Sequence, residues 1–232
     1  MSKAKTKLPQ FIKSIEATGV NKNVLHAFEQ IDRSLFFDPF FKDKIEGTVP
    51  IPVGNGEFSD DALLLARMID ILSPNKKWTL LEVGTGSGYS TAILSTLVSK
   101  IVTVEFHEKL AKAAKNRLID NGFFNIKFLA GDCAELDDTA GSFDAAIIYG
   151  GCTHSPYAVL NLLKSNGVAL FPMGPMHMKQ LTFYKNVSLK DDGNPFDRYK
   201  FHETGEFPSL RGQYGAANPE LNIIVSPQRG EA

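Results

Sequence analysis

Apolar residues follow two spacings along this chain, and the spacings predict its elements. Between residues 8 and 18, Phe11, Ile12 and Ile15 recur at helical intervals, and the pattern stops at Gly19. Asn21 is placed to cap a second helix with Val24, Leu25, Phe28 and Ile31 turned inward. Residues 32–41 are aromatic without a clear period and read as a hydrophobic strap packed on the domain. Residues 48–58 mix prolines, which fix φ, with glycines, which allow positive φ, and read as an extended, turning segment. Ser59, Asp60 and Asp61 then precede an apolar helix over 62–72 as an N-cap with acidic residues where the helix dipole favours them.

From residue 78 the spacing alternates between strand and helix. An apolar run, 78–81, leads into glycines at 84, 86 and 88, and then into a helical pattern with Ala92, Ile93, Leu94 and Leu97 on one face. Residues 101–105 read as a strand. Residues 107–121 read as a helix with Leu110, Ala113, Ala114 and Leu118 inward, ended by Gly122. Strands follow at 126–129, 144–149 and 168–172, with a helix at 156–163. The last strands, 181–184 and 198–201, are linked by a turn at 191–195. Alternating strands and helices imply an α/β fold with a mostly parallel sheet, and the helix-free end implies antiparallel C-terminal additions. Residues 205–232, rich in Gly and Pro, read as a tail with little core-forming pattern. The expected organisation is an N-terminal helical and extended subdomain (1–56), a ligand-binding sheet domain (57–204) and a C-terminal tail (205–232).

Composition narrows the function. The chain has 232 residues, suited to one α/β domain with an elaboration, and 43% of them are hydrophobic, enough for a sizeable core. A net charge of -1 gives no basic excess that would point to nucleic acid. No run approaches a membrane span, and the polar residues 1–7 lack the apolar core of a signal peptide. Cys133 and Cys152 make no disulfide framework and fit a reducing cytoplasm. The five histidines and two cysteines show no metal-ligand spacing.

The glycine stretch carries the chemistry. A dinucleotide fingerprint needs G-x-G-x-x-G, whereas this chain reads Glu82-Val83-Gly84-Thr85-Gly86-Ser87-Gly88. That loop resembles the E-x-G-x-G-x-G loop of S-adenosylmethionine-dependent methyltransferases. An acidic residue is then expected at the end of the next strand, about twenty residues on, to bind ribose hydroxyls. Glu105 stands there, and Gly131-Asp132 follows the strand after it.

The order of motifs over roughly residues 30–205 resembles the protein-L-isoaspartate (D-aspartate) O-methyltransferase family. The distinguishing part is Val49-Pro50-Ile51-Pro52-Val53-Gly54-Asn55-Gly56, similar to the family's L-P-I-G-H-G segment, together with the glycine loop, Gly131-Asp132 and the run from Phe143 to Gly174. The resemblance implies a Rossmann-like class I methyltransferase sheet. It implies an S-adenosylmethionine-dependent enzyme that methylates the abnormal carboxylate of isoaspartyl residues in damaged proteins or peptides and leaves S-adenosylhomocysteine. It places Glu82, Gly84, Thr85, Gly86, Ser87 and Gly88 with the methionine part of the cofactor, Glu105 with its ribose, Gly131 and Asp132 with its adenine, and Thr204 also in the cofactor set. A carboxylate is already ionised at pH 7, so catalysis is mainly alignment and needs no strong base.

Two departures from the family leave alternatives open. The family carries a serine just ahead of the helix at 62–72, and an ungapped alignment puts Asp60 there, with Ser59 one residue earlier. An ionised Asp60 about 4 Å from a substrate carboxylate would repel it by roughly 4 kcal/mol at an effective dielectric near 20. Ser59 serves instead, or Asp60 is displaced or protonated, or the nucleophile is not a carboxylate; Ser59 and Asp60 also suit a helix cap. After the strand at 144–149, where the family has small residues and a proline, this chain has Tyr149-Gly150-Gly151-Cys152-Thr153-His154. His154 is a candidate general base for a nucleophile that must lose a proton, against the commoner reading of a loop-packing histidine. A relative with another substrate, or a cofactor-binding homologue without isoaspartyl activity, are the competing readings.

Overall fold

The computed structural model describes residues 8–175, 179–186, 196–205 and 207–215. A seven-stranded sheet forms its centre. In chain order the sheet strands are β3 (Thr79–Val83), β4 (Lys100–Glu105), β5 (Ile126–Ala130), β6 (Phe143–Ile148), β7 (Leu163–Met173), β8 (Lys179–Asn186) and β9 (Phe196–Gly205). They lie in the order β5-β4-β3-β6-β7-β8-β9. The pairs from β5 through β7 are parallel, and β8 and β9 add antiparallel, as the loss of helices at the end of the chain implied. A two-stranded hairpin, β1 (Pro52–Gly54) with β2 (Glu57–Phe58), stands apart from the sheet.

Helices cover both faces, which explains the continuous apolar runs of the central strands. Leu80, Ala145, Ile147 and Leu170 point to the face packed by α1 (Pro9–Glu16), α2 (Lys22–Glu29), α4 (Ala62–Leu72) and α5 (Tyr89–Ser95). Leu81, Val83, Ala146, Ile148 and Ala169 point to the other, where Val159 and Leu160 of the single-turn α7 (Tyr157–Leu160) pack. One continuous core thus joins the N-terminal helices to the sheet. Asn21 caps α2, its side chain accepting from Asn23 and Val24 N–H. Helix α6 (Glu108–Asp120) buries Leu110, Ala114 and Leu118 as its spacing predicted, but Ala111 rather than Ala113 completes the face.

The aromatic strap packs on the core through Phe36 and Phe37 as its composition implied, forms two short 3-10 turns, Arg33–Phe36 and Pro39–Phe41, and runs into an additional helix, α3 (Lys42–Glu46). The structure corrects three other sequence expectations. Asp61 caps α4, accepting from Leu63 and Leu64 N–H at 2.8 and 3.2 Å, which frees Ser59 and Asp60 from that duty. The helix expected over 156–163 is a single turn, because Leu163 already pairs with Phe143 in the sheet. Residues 207–215 are not a loose tail: Phe207, Leu210 and Tyr214 are buried, and Gly151 N–H donates to the Pro208 carbonyl at 2.7 Å. The turn expected at 191–195 lies outside the described residues.

Helix α5 begins where Gly88 turns the chain at φ +87°, and an added Cβ there would sit 3.0 Å from Leu118. Gly88→Ala therefore strains the backbone and crowds α6; it should lower unfolding stability by about 1–2 kcal/mol, read as a lower denaturant midpoint.

Candidate active site

Strand order reverses between β3 and β6, so their carboxyl ends open a crevice where an α/β sheet holds its ligands. A cleft of about 1000 Å³, counted to its open mouth, occupies that position. The glycine loop forms one wall, with Gly84, Thr85, Gly86 and Ser87 exposed to it. Glu105 and Gly131, at the ends of β4 and β5, extend that wall. The opposite side comes from Glu57 to Asp60, and Tyr149 closes the floor after β6. Catalytic candidates and most of the expected cofactor positions thus share one cavity.

Gly86 shows what the loop is shaped for. It stands at φ +53°, and a Cβ built on it meets no protein atom within 4 Å, so its open side faces the cleft. Its N–H donates to Glu105 Oε2 at 2.9 Å, and His107 N–H donates to Oε1 at 3.0 Å. These bonds fix the Glu105 carboxylate while leaving each oxygen a second lone pair for a hydroxyl.

Four other expected cofactor positions sit off the cleft. Glu82 has no exposed surface. It accepts from Ser90 Oγ at 2.8 Å, Thr91 Oγ1 at 2.6 Å and Thr103 Oγ1 at 2.7 Å, and so joins β3 to α5 and β4. Thr103 in turn meets Thr85 Oγ1 at 2.6 Å, which carries the clamp into the loop. Burial pushes the Glu82 carboxyl up to about 7 against the opposing pull of the hydroxyls. Gly88 packs on Leu118 and Ala114. Asp132 lies off the cleft; one of its oxygens accepts Ala134 N–H at 2.9 Å and the other accepts Gln213 N–H, from the C-terminal segment, at 2.8 Å. Thr204 pairs with Gln180 in the antiparallel edge, and its side chain lies outside the described residues.

On the substrate side, Ser59 Oγ accepts Ile51 N–H at 3.0 Å and donates to the Asp60 carbonyl at 3.2 Å. The hydroxyl is engaged in holding the hairpin. The Asp60 carboxyl receives no hydrogen bond among the described residues, and desolvation, then Asp61 and Glu82, push it up to about 7. His154 is exposed, touches Thr153 Oγ1 at 3.0 Å and meets Tyr214 edge-on, and is not among the cleft residues.

Sequence reading missed two contributors. Pro208 to Arg211 roof the cleft, anchored where Arg211 Nε donates to Glu57 Oε1 at 2.6 Å, an oxygen that His107 Nε2 also meets at 3.1 Å. Phe207, Leu210 and Tyr214 were the available signal, apolar residues at intervals within a Gly/Pro-rich stretch. Arg33 is 1% exposed and stacks over Phe11, Phe37 and Tyr89. Its guanidinium donates to the Gly47 and Val49 carbonyls, holding the strap to the chain that leads into the hairpin. Among the described residues no cluster of His, Cys, Asp or Glu is arranged to hold a metal, and no helix is long and apolar enough to cross a membrane.

Comparison with known proteins shows the family and the fold. A family model described as Protein-L-isoaspartate(D-aspartate) O-methyltransferase matches residues 6–198. A protein-L-isoaspartate O-methyltransferase of Rhodopseudomonas palustris (strain BisB5) is 32% identical over 200 residues, 86% of this chain and 90% of that protein. One of Ruegeria sp. (strain TM1040) is 33% identical over 198 residues, 85% of this chain and 91% of that protein. A solved protein-L-isoaspartate O-methyltransferase superposes with a TM-score of 0.78 at 19% identity, over 89% of this chain and 66% of that one. A Plasmodium falciparum structure described as a β-aspartate methyltransferase, in complex with S-adenosyl-L-homocysteine, gives 0.69 at 18%, over 87% and 97%. The two solved structures share the fold of this chain.

The raised Glu82 carboxyl sets a direction for stability against pH. Its folded value, about 7, lies above the ordinary 4.5, so its contribution is complete below pH 4.5 and is lost as pH rises through 7. Glu82→Gln, neutral at every pH, should therefore flatten the decline in urea midpoint between pH 5 and pH 8, while lowering the midpoint at pH 5 through disturbed hydroxyl bonds.

Proposed function

The chain belongs to the protein-L-isoaspartate(D-aspartate) O-methyltransferase family, and from that premise we propose that it is an S-adenosylmethionine-dependent enzyme that methylates the carboxylate of isoaspartyl residues in damaged proteins and peptides. The observation that carries this reading is the juxtaposition, across one cleft, of the segment Glu57–Asp60 with the open side of Gly86. A glycine loop alone would fit many ligands; a loop that shares one cleft with the segment ahead of α4 is more specific.

The cofactor supplies an electrophilic methyl group on a sulfonium. The residues that would hold it are the backbone of Gly84 to Ser87 along the methionyl part, Glu105 at the ribose, and Gly131 with Leu210 at the base. Glu82, Gly88 and Asp132 act at one remove: Glu82 fixes the loop, Gly88 seats it on α6, and Asp132 holds the roof. Glu105 receives two backbone N–H groups and so presents its carboxylate in a fixed direction before any ligand arrives. Pro208 to Arg211 line the cleft and narrow its access to solvent.

A carboxylate nucleophile arrives ionised, so the protein's task is alignment. The structure supplies nothing at the cleft that calls for a different nucleophile through His154, which stands on the surface. Ser59 supports the hairpin that faces the loop, and Asp60 is the side chain that meets the substrate.

Incubation with labelled S-adenosylmethionine and two matched peptides, one isoaspartyl and one normal, should place base-labile methyl groups on the isoaspartyl peptide alone. Label on neither, with cofactor bound, would reject the substrate assignment. Separately, Gly86→Val fills the open side of the loop and should weaken S-adenosylhomocysteine binding at least a hundredfold by calorimetry. Unchanged affinity would remove the cofactor from this cleft.

A further inference from the structure

Each carboxylate around the cleft has its donors except one. Glu82 takes three hydroxyls, Glu105 two backbone N–H groups, Asp61 the first N–H groups of α4, and Glu57 the side chains of Arg211 and His107. Asp60 takes none among the described residues, although it stands on the cleft between Ser59 and the glycine loop.

Its surroundings offer no countercharge. Asp61 and Glu82, the nearest acids, both oppose a negative charge on Asp60. Tyr149, which follows β6 and acts electrostatically on both Glu82 and Asp60, keeps its proton, because burial holds its hydroxyl well above the ordinary range, and that hydroxyl makes no hydrogen bond among the described residues. Arg33 lines the same cleft, with its Nη atoms on two carbonyls and its plane over three rings; its buried Nε makes no hydrogen bond among the described residues, and none reaches Asp60. A carboxyl without donors, beside two acids and partly withdrawn from water, is most stable as the neutral acid.

We propose that Asp60 works as that neutral acid: its carboxyl O–H donates a hydrogen bond to the substrate carboxylate, at the position where the family resemblance implied a serine hydroxyl. The inference rests on the isoaspartyl reading above. An acid facing a carboxylate forms a charge-assisted O–H···O⁻ bond, stronger than one from a neutral hydroxyl to a neutral acceptor. The proton stays on Asp60 throughout. The oxygen that Asp60 does not hold is the one methylated; the product is a neutral ester, a weaker acceptor, and the bond that held the substrate loosens. Burial first, and then the neighbouring Asp61 and Glu82, favour the donating form of Asp60. Once ionised, the same side chain repels the group it is there to bind. The substitution makes substrate binding depend on pH where a serine would not.

The test is the KM for an isoaspartyl peptide between pH 6 and pH 9 at saturating S-adenosylmethionine, with cofactor affinity measured across the same range. The peptide carboxylate is ionised throughout, so its own titration does not enter. For the unaltered protein, KM should be level below about pH 7, the value to which the Asp60 carboxyl is raised, and climb toward tenfold per unit above it, with a smaller change in kcat. Asp60→Asn, whose amide donates at every pH, and Asp60→Ser should each give a level KM across the range. A level KM for the unaltered protein, a climb that persists in both variants, or a climb matched by lost cofactor affinity would each overturn the inference while leaving the isoaspartyl activity in place. Intact cofactor binding with no methylation of the peptide at any pH would instead overturn the proposed function, and this inference with it.

Discussion

The carboxylate of Glu82, sealed beneath the sheet's carboxyl edge, is the interaction on which the site depends. Three hydroxyls converge on it from β4 and α5, and a fourth, on Thr85, follows through Thr103. Each hydrogen bond to a charged or partly charged buried acceptor contributes about 1.5–3 kcal/mol, and leaving such an acceptor unmet costs comparably. The arrangement fastens the strand before the loop, the helix after it and the neighbouring strand to one point. A loop containing three glycines is flexible by composition; here it is held at both ends and by the Glu105 carboxylate from the side. The residue at the head of the glycine stretch therefore serves as an anchor for ligand-facing backbone rather than as a ligand-facing group.

The second constraint is closure. The chain's N-terminal strap and its C-terminal segment both reach the cleft. The first is held by Arg33 to the chain leading into the β1-β2 hairpin, the second by Arg211 to Glu57 in that hairpin. The hairpin is consequently fixed between two cationic side chains from distant parts of the sequence. Asp132 completes the closure by accepting Gln213 N–H. Carboxylates expected to meet a ligand have in several cases become the fasteners of the cavity wall. Asp60 is the exception, without a donor among the described residues.

Much of the architecture was legible in the order of residues. The alternation of apolar runs with helical patterns gave a parallel sheet because side-chain periodicity is local and survives any tertiary arrangement. Asn21 capped its helix as its side chain and position required. Gly84, Gly86 and Glu105 came to one cavity because the strand–turn–helix unit brings the ends of β3 and β4 together whatever lies beyond them. Family membership rested on the same local motifs.

Tertiary structure decided what each acidic residue touches. Ser59, Asp60 and Asp61 are three adjacent polar residues, each a plausible cap in isolation. Which one turns to the helix depends on the hairpin, whose Ile51 N–H claims the Ser59 hydroxyl. Glu82 and Glu105 both end strands beside the same loop, yet one is covered by α5 and the other opens to the cleft. Residues 207–215 carry too few apolar positions to read as structure, and they order because Gly151 offers them backbone hydrogen bonds and Asp132 accepts a third. Local sequence determines hydrophobic period, turn geometry and capping potential, because these depend on neighbours along the chain. Desolvation, charge proximity and the pairing of donors with acceptors depend on neighbours in space, and those the fold alone supplies.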